Sequence, residues 1–519
     1  MTQVAGIDPA DDEIVVVGMG MAVAGANSPE EFWRELLDGA ERFIEVPADR
    51  WDNDHFHSAD RKAVDKTCSR HSAFITGFQA VEGAEPAAVG EGEIPEYTAS
   101  WLRQAVVQSL QGVGRSDDDA VSLFVGYTAD GSHHLEEASV VAGVHAHGDQ
   151  LVRTAAPSQE EADRRLALLD SVLAARYPRS GPRPERYLPH RTGREAVRGI
   201  LGEDADVVMV DTACSSSLYT IDLGIKAIRE GRSDVAVAGG AFALAPRGSI
   251  LFAKLNGLSA KGEVRSLDAD GDGVLFADGA AAVVLKTRSR ADADGDRILA
   301  SIASIGSSSD GKGKAIYAPK AEGQKLAIER TQAGHDLEPA WVVAHATGTP
   351  AGDLAEYSTL RDLYGERAVP ISSNKSIVGH TGWAAGAVSV IEAILGLQNE
   401  TIPPQHPVQP HSRPVRGRRR PADRAQGADA PGAQRRPAHG GRLRVRVRRY
   451  QRARAPAGPA GRARAGAGFA QRFGGRAHRD RRARLTHPGG RRGLVRRPVP
   501  AAAGHRGGHA SRHDASPGP

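Results

Sequence analysis

The chain has 519 residues and a formal net charge of +4, with 25% charged and 40% hydrophobic residues. This length allows one large two-part domain or several small ones, each with a buried core. Two cysteines exclude a disulfide framework and a cysteine-rich zinc site, and no apolar run approaches the roughly 18 residues of a membrane span. These features predict a cytoplasmic protein without a membrane segment.

The positive charge is confined to one part of the chain. Residues 411–519 contain 29 Arg, no Lys, four Asp and no Glu, a net charge of +25, whereas residues 1–410 carry −21. The Arg-, Ala-, Gly- and Pro-rich stretch has no hydrophobic periodicity and too few apolar residues to form a core. It is predicted to be a disordered tail. The folded region is expected to begin at residue 13, after an N-terminal extension of residues 1–12.

The first predicted elements are a strand and a helix joined by a loop. Ile14 to Gly20 is a continuous apolar run of strand length. Ser28 and Pro29 then have the residue types of a helix N-cap and a first helical position. Gly18 and Gly20 suggest a dinucleotide-binding loop, but the third glycine of that fingerprint is missing at the required spacing. We therefore favour a strand and helix without a nucleotide site.

Strands and helices alternate further along the chain. Helices are predicted from Trp101 to Leu110 and across residues 158–176, with loops at residues 46–51 and 84–95. This alternation favours an α/β fold with a mostly parallel sheet that is covered on both faces. The remaining predicted strands are residues 121–126, 205–210, 234–240, 280–286 and 341–345.

Two polar runs imitate ligand-binding loops. Asp268 to Gly273 spaces oxygen-bearing residues and a glycine as a calcium loop does, but Gly279 stands where that loop needs a glutamate. Asp310 to Lys314 is rich in lysine and glycine without the spacing of a phosphate-binding loop. Both are predicted to be polar turns or loops, so we expect no metal and no cofactor of the protein's own.

Cys214 lies between a predicted strand and a predicted amphipathic helix. The helix is indicated by apolar residues from Leu218 to Ile228 at helical spacing and by Gly231 at its end. The positive end of a helix favours a thiolate, which makes Cys214 a candidate nucleophile. The spacing alone leaves a small, structural cysteine equally open.

Two histidines occupy places like that of Cys214. His345 ends a predicted strand, and His380 follows an apolar run that begins at Ile371. Each precedes a glycine-bearing loop, the position at which open α/β sheets hold their sites. One such histidine is more often structural, but two of them with a turn-exposed cysteine favour catalysis.

Three motifs in this order and at these distances resemble those of β-ketoacyl synthases, and they look like the ketosynthases of type I polyketide synthases. The resemblance covers about residues 13–410. It implies a thiolase-like α-β-α-β-α sandwich of two similar halves, about residues 13–290 and 291–410, usually a homodimer. The motifs are Asp211-Thr-Ala-Cys-Ser-Ser-Ser217, His345-Ala-Thr-Gly-Thr-Pro-Ala-Gly-Asp353 with Glu356, and Lys375-Ser-Ile-Val-Gly-His-Thr381.

The resemblance also implies a reaction in polyketide or fatty-acid-like biosynthesis. Cys214 would accept an acyl group from the phosphopantetheine arm of an acyl carrier protein. His345 and His380 would promote decarboxylation of a malonyl-type extender and stabilise the resulting enolate, since imidazole N–H groups can donate to a developing oxyanion. The alternatives are an acyltransferase or decarboxylase that does not elongate, and an inactive partner subunit or truncated ketosynthase.

Five further residues match motif positions that support the histidines. For Lys375 and Glu356, the alternative is a solvent-exposed charge pair. The other three are Thr347, Thr349 and Asp353.

The chain departs from the family pattern at several positions. Phe276-Ala-Asp-Gly279 stands where Arg-Gly-Glu-Gly is usual, Ala346 replaces a glycine, and Ile377 replaces an asparagine. Because Cys214 and both histidines are retained, these changes indicate a divergent subfamily. They leave extender and acyl specificity open.

The family pattern also continues to a last strand and a glycine-rich loop, which the chain lacks after Pro404. Arg442 to Arg454, back-translated and read one nucleotide later, can give Val-Ser-Ala-Phe-Gly-Phe-Gly-Gly-Thr-Asn-Val-His-Val, the missing motif. We therefore hypothesise a frameshift near residue 410, which resequencing of the gene would test. In the family this loop supplies one oxyanion-hole N–H, whose loss costs about 10²–10³ in rate. A nucleic-acid-binding basic arm is the alternative for the tail.

Overall fold

The computed structural model describes residues 12–86, 95–312, 318–335, 338–365 and 367–406. The predicted tail, and the proposed frameshift with it, lie outside these residues. The strands are β1 (Ile14–Val23), β2 (Phe43–Glu45), β3 (His71–Ala73), β4 (Val121–Gly126), β5 (Asp206–Val210), β6 (Val235–Phe242), β7 (Gly279–Thr287), β8 (Ala300–Ile302), β9 (Val342–Val343) and β10 (Ile371–Ser372).

The α-helices are α1 (Pro29–Asp38), α2 (Asn53–Phe56), α3 (Tyr97–Leu110), α4 (His133–Ala155), α5 (Gln159–Arg176), α6 (Pro189–Val197), α7 (Ser216–Arg229), α8 (Pro246–Lys254), α9 (Arg288–Asp294), α10 (Ala321–Gln332), α11 (Pro350–Tyr364), α12 (Lys375–Val378) and α13 (Ala385–Gln398). Short 3₁₀ helices span Ala129–Gly131, Pro184–Tyr187 and Gly382–Ala384. No helix of the described residues is both long and apolar enough to cross a bilayer.

The main sheet has six strands in the order β5-β4-β6-β7-β1-β8. β4 pairs in parallel with β5 and β6, but the β6–β7, β7–β1 and β1–β8 pairs are antiparallel. The prediction of a mostly parallel sheet is therefore wrong. Alternation along a sequence does not show at which end of the sheet the chain re-enters, and here the connection through α8 brings the chain back antiparallel.

The central strands of the main sheet are buried on both faces. On β1, Ile14 and Val16 face a core that is shared with α1, α7 and α13, whereas Val15 and Val17 face a core formed with α3 and α6. A strand covered on both faces has no polar side to alternate with its apolar side, which explains the continuous apolar run in the sequence. The predicted α/β class and the covered sheet are confirmed.

A second, smaller sheet consists of the parallel pair β9 and β10. Helix α13 contacts both β7 of the main sheet and β9 of the small one. The layers therefore run from α3 and α6 through the main sheet and the α7–α13 layer to the small sheet. Helices α10 and α11 pack against each other.

The two glycines in β1 serve helix packing. A Cβ atom on Gly18 would lie 1.8 Å from the carbonyl oxygen of Ser109, and one on Gly20 would lie 2.2 Å from that of Ala105. Both carbonyls belong to α3, so the glycines allow this helix to contact the strand directly. Helix packing therefore explains both glycines, and no nucleotide-binding role is needed.

The aspartate-rich run forms the predicted polar turn. The backbone N–H of Asp270 donates to Asp268 at 2.9 Å, and Asp272 accepts from the Ser259 hydroxyl at 2.6 Å. A Cβ on Gly271 would lie 2.8 Å from the carbonyl oxygen of Gly348, so the turn packs against the loop that follows His345. The carboxylates of Asp268 and Asp272 thus stabilise the turn by accepting hydrogen bonds from neighbouring residues.

A buried ion pair joins residues 228 positions apart. The guanidinium of Arg50 donates two hydrogen bonds to Asp278, at 2.6 and 3.0 Å, and both side chains are buried. Asp278 also accepts from the backbone N–H groups of Leu244 and Ile75. It belongs to Phe276-Ala-Asp-Gly279, so the structure gives the acidic residue of that divergent run a structural role.

The substitution Arg50→Met is expected to lower the free energy of unfolding by about 3–5 kcal/mol. It leaves a buried carboxylate without its counter-charge. Chemical denaturation measures the change. Arg232→Met removes an exposed pair with Glu230 and should change stability by less than about 1 kcal/mol; equal effects of the two substitutions would contradict this role of Arg50.

Candidate active site

Cys214 lies in a tight turn between β5 and α7. Ala213, just before it, has a φ of 55°, a strained value for a residue with a side chain. The turn is held by hydroxyls: Ser216 accepts from the backbone N–H of Thr212 at 2.8 Å, and Ser215 donates to the carbonyl of Thr212 at 2.8 Å. This geometry presents the half-buried thiol of Cys214 at the end of the sheet.

Burial opposes the stabilisation of a thiolate that is expected from the helix start. Burial raises the pKa of the Cys214 thiol above its usual value, although the positive charge of Lys375 acts in the opposite direction. Desolvation of the charged form thus outweighs the favourable charge nearby. The thiol is the resting form at neutral pH.

His345 follows β9 and is fixed through its backbone by Glu356. One carboxylate oxygen of Glu356 accepts from the N–H of His345, and the other accepts from the N–H of Ala346, both at 2.8 Å. Ala346 has a φ of 29°, in the region that glycine adopts most easily, which gives a physical reason for the glycine usual at that position. The carboxylate clamps a strained turn.

His380 lies between α12 and α13, where its backbone bridges to Phe276. Its Nδ1 accepts a hydrogen bond of 3.2 Å from the backbone N–H of Gly382. An Nδ1 that accepts carries no proton, so the neutral ring has its proton on Nε2. Nε2 is therefore the donor that His380 can offer to a bound group.

The structure brings the three predicted catalytic side chains together. One ligand atom each of Cys214, His345 and His380 lies within 4.8 Å of the others, and the two imidazole rings meet edge to face with centroids 5.1 Å apart. Desolvation and the charge of Lys375 lower the pKa of His345 to about 3, although its side chain still reaches solvent. Desolvation likewise lowers the pKa of His380 well below its usual range. Both rings are thus neutral at pH 7.

Lys375 is buried, with only 1% of its surface exposed, so the exposed charge pair considered for Lys375 and Glu356 does not form. Burial lowers the pKa of its ammonium, while the nearby carboxylates of Glu356, Glu392 and Asp353 raise it. The charge of Lys375 in turn lowers the pKa values of Cys214, His345 and His380. It is the common electrostatic neighbour of the three side chains.

The other supporting residues shape the loop after His345. The carboxylate of Asp353 accepts from the backbone N–H groups of Gly348 and Leu267, at 3.1 and 2.7 Å, and burial raises its pKa to about 6. The hydroxyls of Thr347 and Thr349 lie 3.1 Å apart. These residues connect the histidine loop to the polar turn of residues 268–273.

Sequence reasoning missed two contacts of the site. The indole N–H of Trp383 donates to Asp211 at 2.7 Å, and the same oxygen accepts from the N–H of Ala213, which connects the Cys214 turn to the His380 loop. Buried Glu392 accepts from Ser372 and Asn374 just before Lys375. Neither contact has a local sequence signal, because the partners are far apart in the chain.

The substitution Glu356→Gln is expected to lower the free energy of unfolding by about 1.5–3 kcal/mol, because an amide group replaces one of the two charged acceptors. Denaturant unfolding measures this change, which follows from the loss of the fixed backbone position of His345. Glu329→Gln, on the exposed side of α10, is the matched control. If both variants behave like the wild type, the clamp is unimportant.

The described residues thus place a cysteine at a strand-to-helix turn beside two histidines, on a layered α/β scaffold. Sequence comparison then identifies the family. The model for the β-ketoacyl synthase N-terminal domain matches residues 11–176 and 196–291, and the model for the C-terminal domain matches residues 299–409. The chain belongs to the β-ketoacyl synthase family and carries a ketosynthase domain of the kind found in polyketide synthases.

Curated relatives support this assignment. The phthioceranic/hydroxyphthioceranic acid synthase of Mycobacterium bovis is 30% identical over 413 residues, covering 76% of this chain and 17% of that protein. The mycocerosic acid synthase-like polyketide synthase of Mycolicibacterium smegmatis is 30% identical over 403 residues, covering 75% and 17%. The chain therefore spans less than a fifth of the length of these relatives.

Solved structures show the same fold. An oxazolomycin ketosynthase domain of Streptomyces albus JA3453 aligns with a TM-score of 0.58 at 28% identity, covering 76% of this chain and 66% of that one. The ishigamide ketosynthase/chain length factor aligns with a TM-score of 0.60 at 24% identity, covering 76% and 88%. The predicted thiolase-like fold is thereby confirmed.

Proposed function

We propose that this chain catalyses a decarboxylative Claisen condensation between an enzyme-bound acyl group and a malonyl-type extender on an acyl carrier protein. The observation that carries the proposal is the convergence of Cys214, His345 and His380 within 4.8 Å. A thiol and two neutral imidazoles are the groups that such a reaction requires.

In the first half-reaction the thiolate of Cys214 attacks the carbonyl carbon of an acyl thioester. The new carbon–sulfur bond forms an acyl-enzyme, and the phosphopantetheine thiolate of the carrier leaves and takes up the proton that Cys214 lost. Lys375 supports this step, because its charge favours the thiolate that burial disfavours.

In the second half-reaction a malonyl thioester loses carbon dioxide and becomes an enolate. The Nε2 proton of His380 suits the enolate oxygen, since a neutral donor stabilises that charge without giving up its proton. The enolate carbon then attacks the acyl group, which forms the β-ketoacyl thioester on the carrier and releases the thiolate of Cys214. His345, edge to face with His380, is assigned the same donor role.

The experiment that tests this function supplies an acyl thioester and a malonyl-loaded carrier protein to the full chain. The expected products are carbon dioxide and a β-ketoacyl carrier in equal amounts, detected by intact-protein mass spectrometry. Acylation of Cys214 without the β-ketoacyl product would instead indicate an acyltransferase that does not elongate.

The proposal includes homodimerisation and a cytoplasmic location. β5 is an edge strand of the main sheet over the described residues, and its Val208 is 37% exposed. An open edge beside the Cys214 turn is suited to pairing with a second copy, and sedimentation at the monomer mass would contradict that. Both cysteines are free, as is usual in a reducing compartment.

The alkylation of Cys214 by iodoacetamide is expected to accelerate about tenfold per pH unit from pH 6 to 8.5, because the raised pKa leaves only a small thiolate fraction that grows with pH. No inflection is expected near pH 6.5, since both histidines are already neutral. The measurement uses Cys68→Ala, which leaves one thiol. A rate constant that is flat above pH 7 would show that the thiolate is already formed.

A further inference from the structure

The loop that carries His380 lies directly against the main sheet. A Cβ atom on Gly240 of β6 would lie 2.3 Å from the carbonyl oxygen of Trp383. Only a residue without a side chain lets the backbone of the loop cross the strand so closely. This close approach brings the side chain of Trp383 to the Cys214 turn, where its hydrogen-bond partner is 172 residues away along the chain.

The indole of Trp383 is held at its ring and at its N–H group. The ring stacks on Phe242, with centroids 5.4 Å apart and planes inclined by 25°. The N–H donates to the carboxylate of Asp211 at 2.7 Å, and a hydrogen bond to a charged acceptor is stronger than one between neutral groups. Asp211 is exposed, so the indole fixes a carboxylate that would otherwise turn towards water.

The oxygen that the indole binds also supports the strained residue before the nucleophile. The same oxygen of Asp211 accepts from the backbone N–H of Ala213 at 3.1 Å, and the hydroxyl of Ser216 donates to the carbonyl of Ala213 at 2.6 Å. A φ of 55° in an alanine persists only where its surroundings over-determine it. Both of these contacts arise within the turn, whereas the indole ties the turn to the His380 loop.

The residue next to Trp383 orients the imidazole of His380. The backbone N–H of Gly382 donates to Nδ1 of His380 at 3.2 Å. Two adjacent residues of one loop therefore act on both reacting side chains, one on the imidazole and the other on the cysteine turn. Because Cys214 and His380 come from different segments, their separation of less than 4.8 Å depends on such contacts between the two turns.

We propose that Trp383 is a positioning residue for condensation: its indole, through Asp211, sets the distance between the acyl group on Cys214 and the enolate at His380. This role rests on the proposed function, in which only the condensation step needs both turns at once. Acylation uses the cysteine turn, and decarboxylation uses the histidine loop. A misplacement of about 1 Å between reacting groups can cost about 10² in rate, so one bond that fixes this distance has a measurable effect.

The test uses Trp383→Phe in the full chain, which keeps an aromatic ring on Phe242 and removes the indole N–H. The rate of condensation should fall by about 10². Release of carbon dioxide from a malonyl carrier should stay within about threefold of the wild type, because Gly382 still orients His380. The ratio of carbon dioxide to β-ketoacyl product should therefore rise. A variant that is only less stable would lose both reactions together.

Trp341→Phe is the matched control, since that indole N–H donates to Ser372, at 3.0 Å, and its product ratio should equal that of the wild type. Asp211→Ala removes the acceptor. If the indole acts through this carboxylate, adding Trp383→Phe to Asp211→Ala should cause no further loss. Additive losses would overturn the proposal. A raised KM for the acyl thioester with an unchanged kcat would also overturn it, because the ring would then contact the acyl chain.

Amide hydrogen exchange of the peptide that spans residues 211–216 tests the contact without any substrate. This peptide should exchange at least about threefold faster in Trp383→Phe, because Ala213 loses its fixed acceptor. In Trp341→Phe it should exchange as in the wild type. Unchanged exchange in Trp383→Phe would refute the proposal even if the wild type condenses. A wild type that forms no β-ketoacyl product would refute the proposed function, whereas the exchange result still decides whether the indole fixes the turn.

Discussion

Replacement of Cys214 by alanine is expected to abolish the acyl-enzyme and to lower condensation by on the order of 10⁶, the scale of losing a covalent nucleophile. The thiol is the atom presented by the strained turn after β5, and it lies within 4.8 Å of both histidines. Intact-protein mass spectrometry after incubation with an acyl thioester should show the acyl mass on the wild type and none on the variant.

The chain provides its own control for this experiment. Cys68 is buried away from the site, with its thiol 3.8 Å from the carbonyl oxygen of Leu258, and burial raises its pKa. Cys68→Ala should therefore acylate as the wild type does. If acylation persists in Cys214→Ala and disappears in Cys68→Ala, Cys68 is the nucleophile and the assignment of this role to Cys214 is wrong.

Replacement of His380 by alanine is expected to separate the two half-reactions. The variant loses the Nε2 donor assigned to the enolate, so decarboxylation should fall by about 10²–10³. Acylation of Cys214 should continue, because the hydrogen bonds that hold its turn do not involve His380. Release of carbon dioxide from a malonyl carrier measures the first effect, and the acyl mass measures the second.

A matched control for His380→Ala is His190→Ala, since His190 is exposed on α6. It should leave both half-reactions unchanged. If His380→Ala loses acylation to the same extent as decarboxylation, the ring acts on the nucleophile, and the assignment of His380 to the enolate is wrong.

Local signals in the sequence predicted local structure well. The strand Val121–Gly126 has the predicted bounds, and Ser28 caps α1 as predicted, by accepting from the N–H of Glu31. Such signals arise from neighbours within a few residues, so one sequence contains them. The antiparallel return of β7 depends on the path of a long connection, which no residue pattern specifies.

For the site, the motifs predicted which residues converge but not how they are held. Cys214, His345 and His380 meet as expected, but their roles remain predictions. The shared acceptor Asp211, 172 residues from Trp383, and the Arg50–Asp278 pair depend on tertiary contacts between distant segments. The clamp by Glu356 was expected only as general support, and its action on two backbone N–H groups required the structure.

The close approach of one thiol and two imidazoles also bears on how the protein is handled. Cysteine and histidine are ligands that Zn²⁺ prefers, and the ligand atoms of these three side chains lie within 4.8 Å of one another. At neutral pH the rings of His345 and His380 are uncharged, so they can bind a metal without first losing a proton. Assays of Cys214 acylation should therefore be run with and without a chelator, so that any competition by traces of zinc or column nickel is detected.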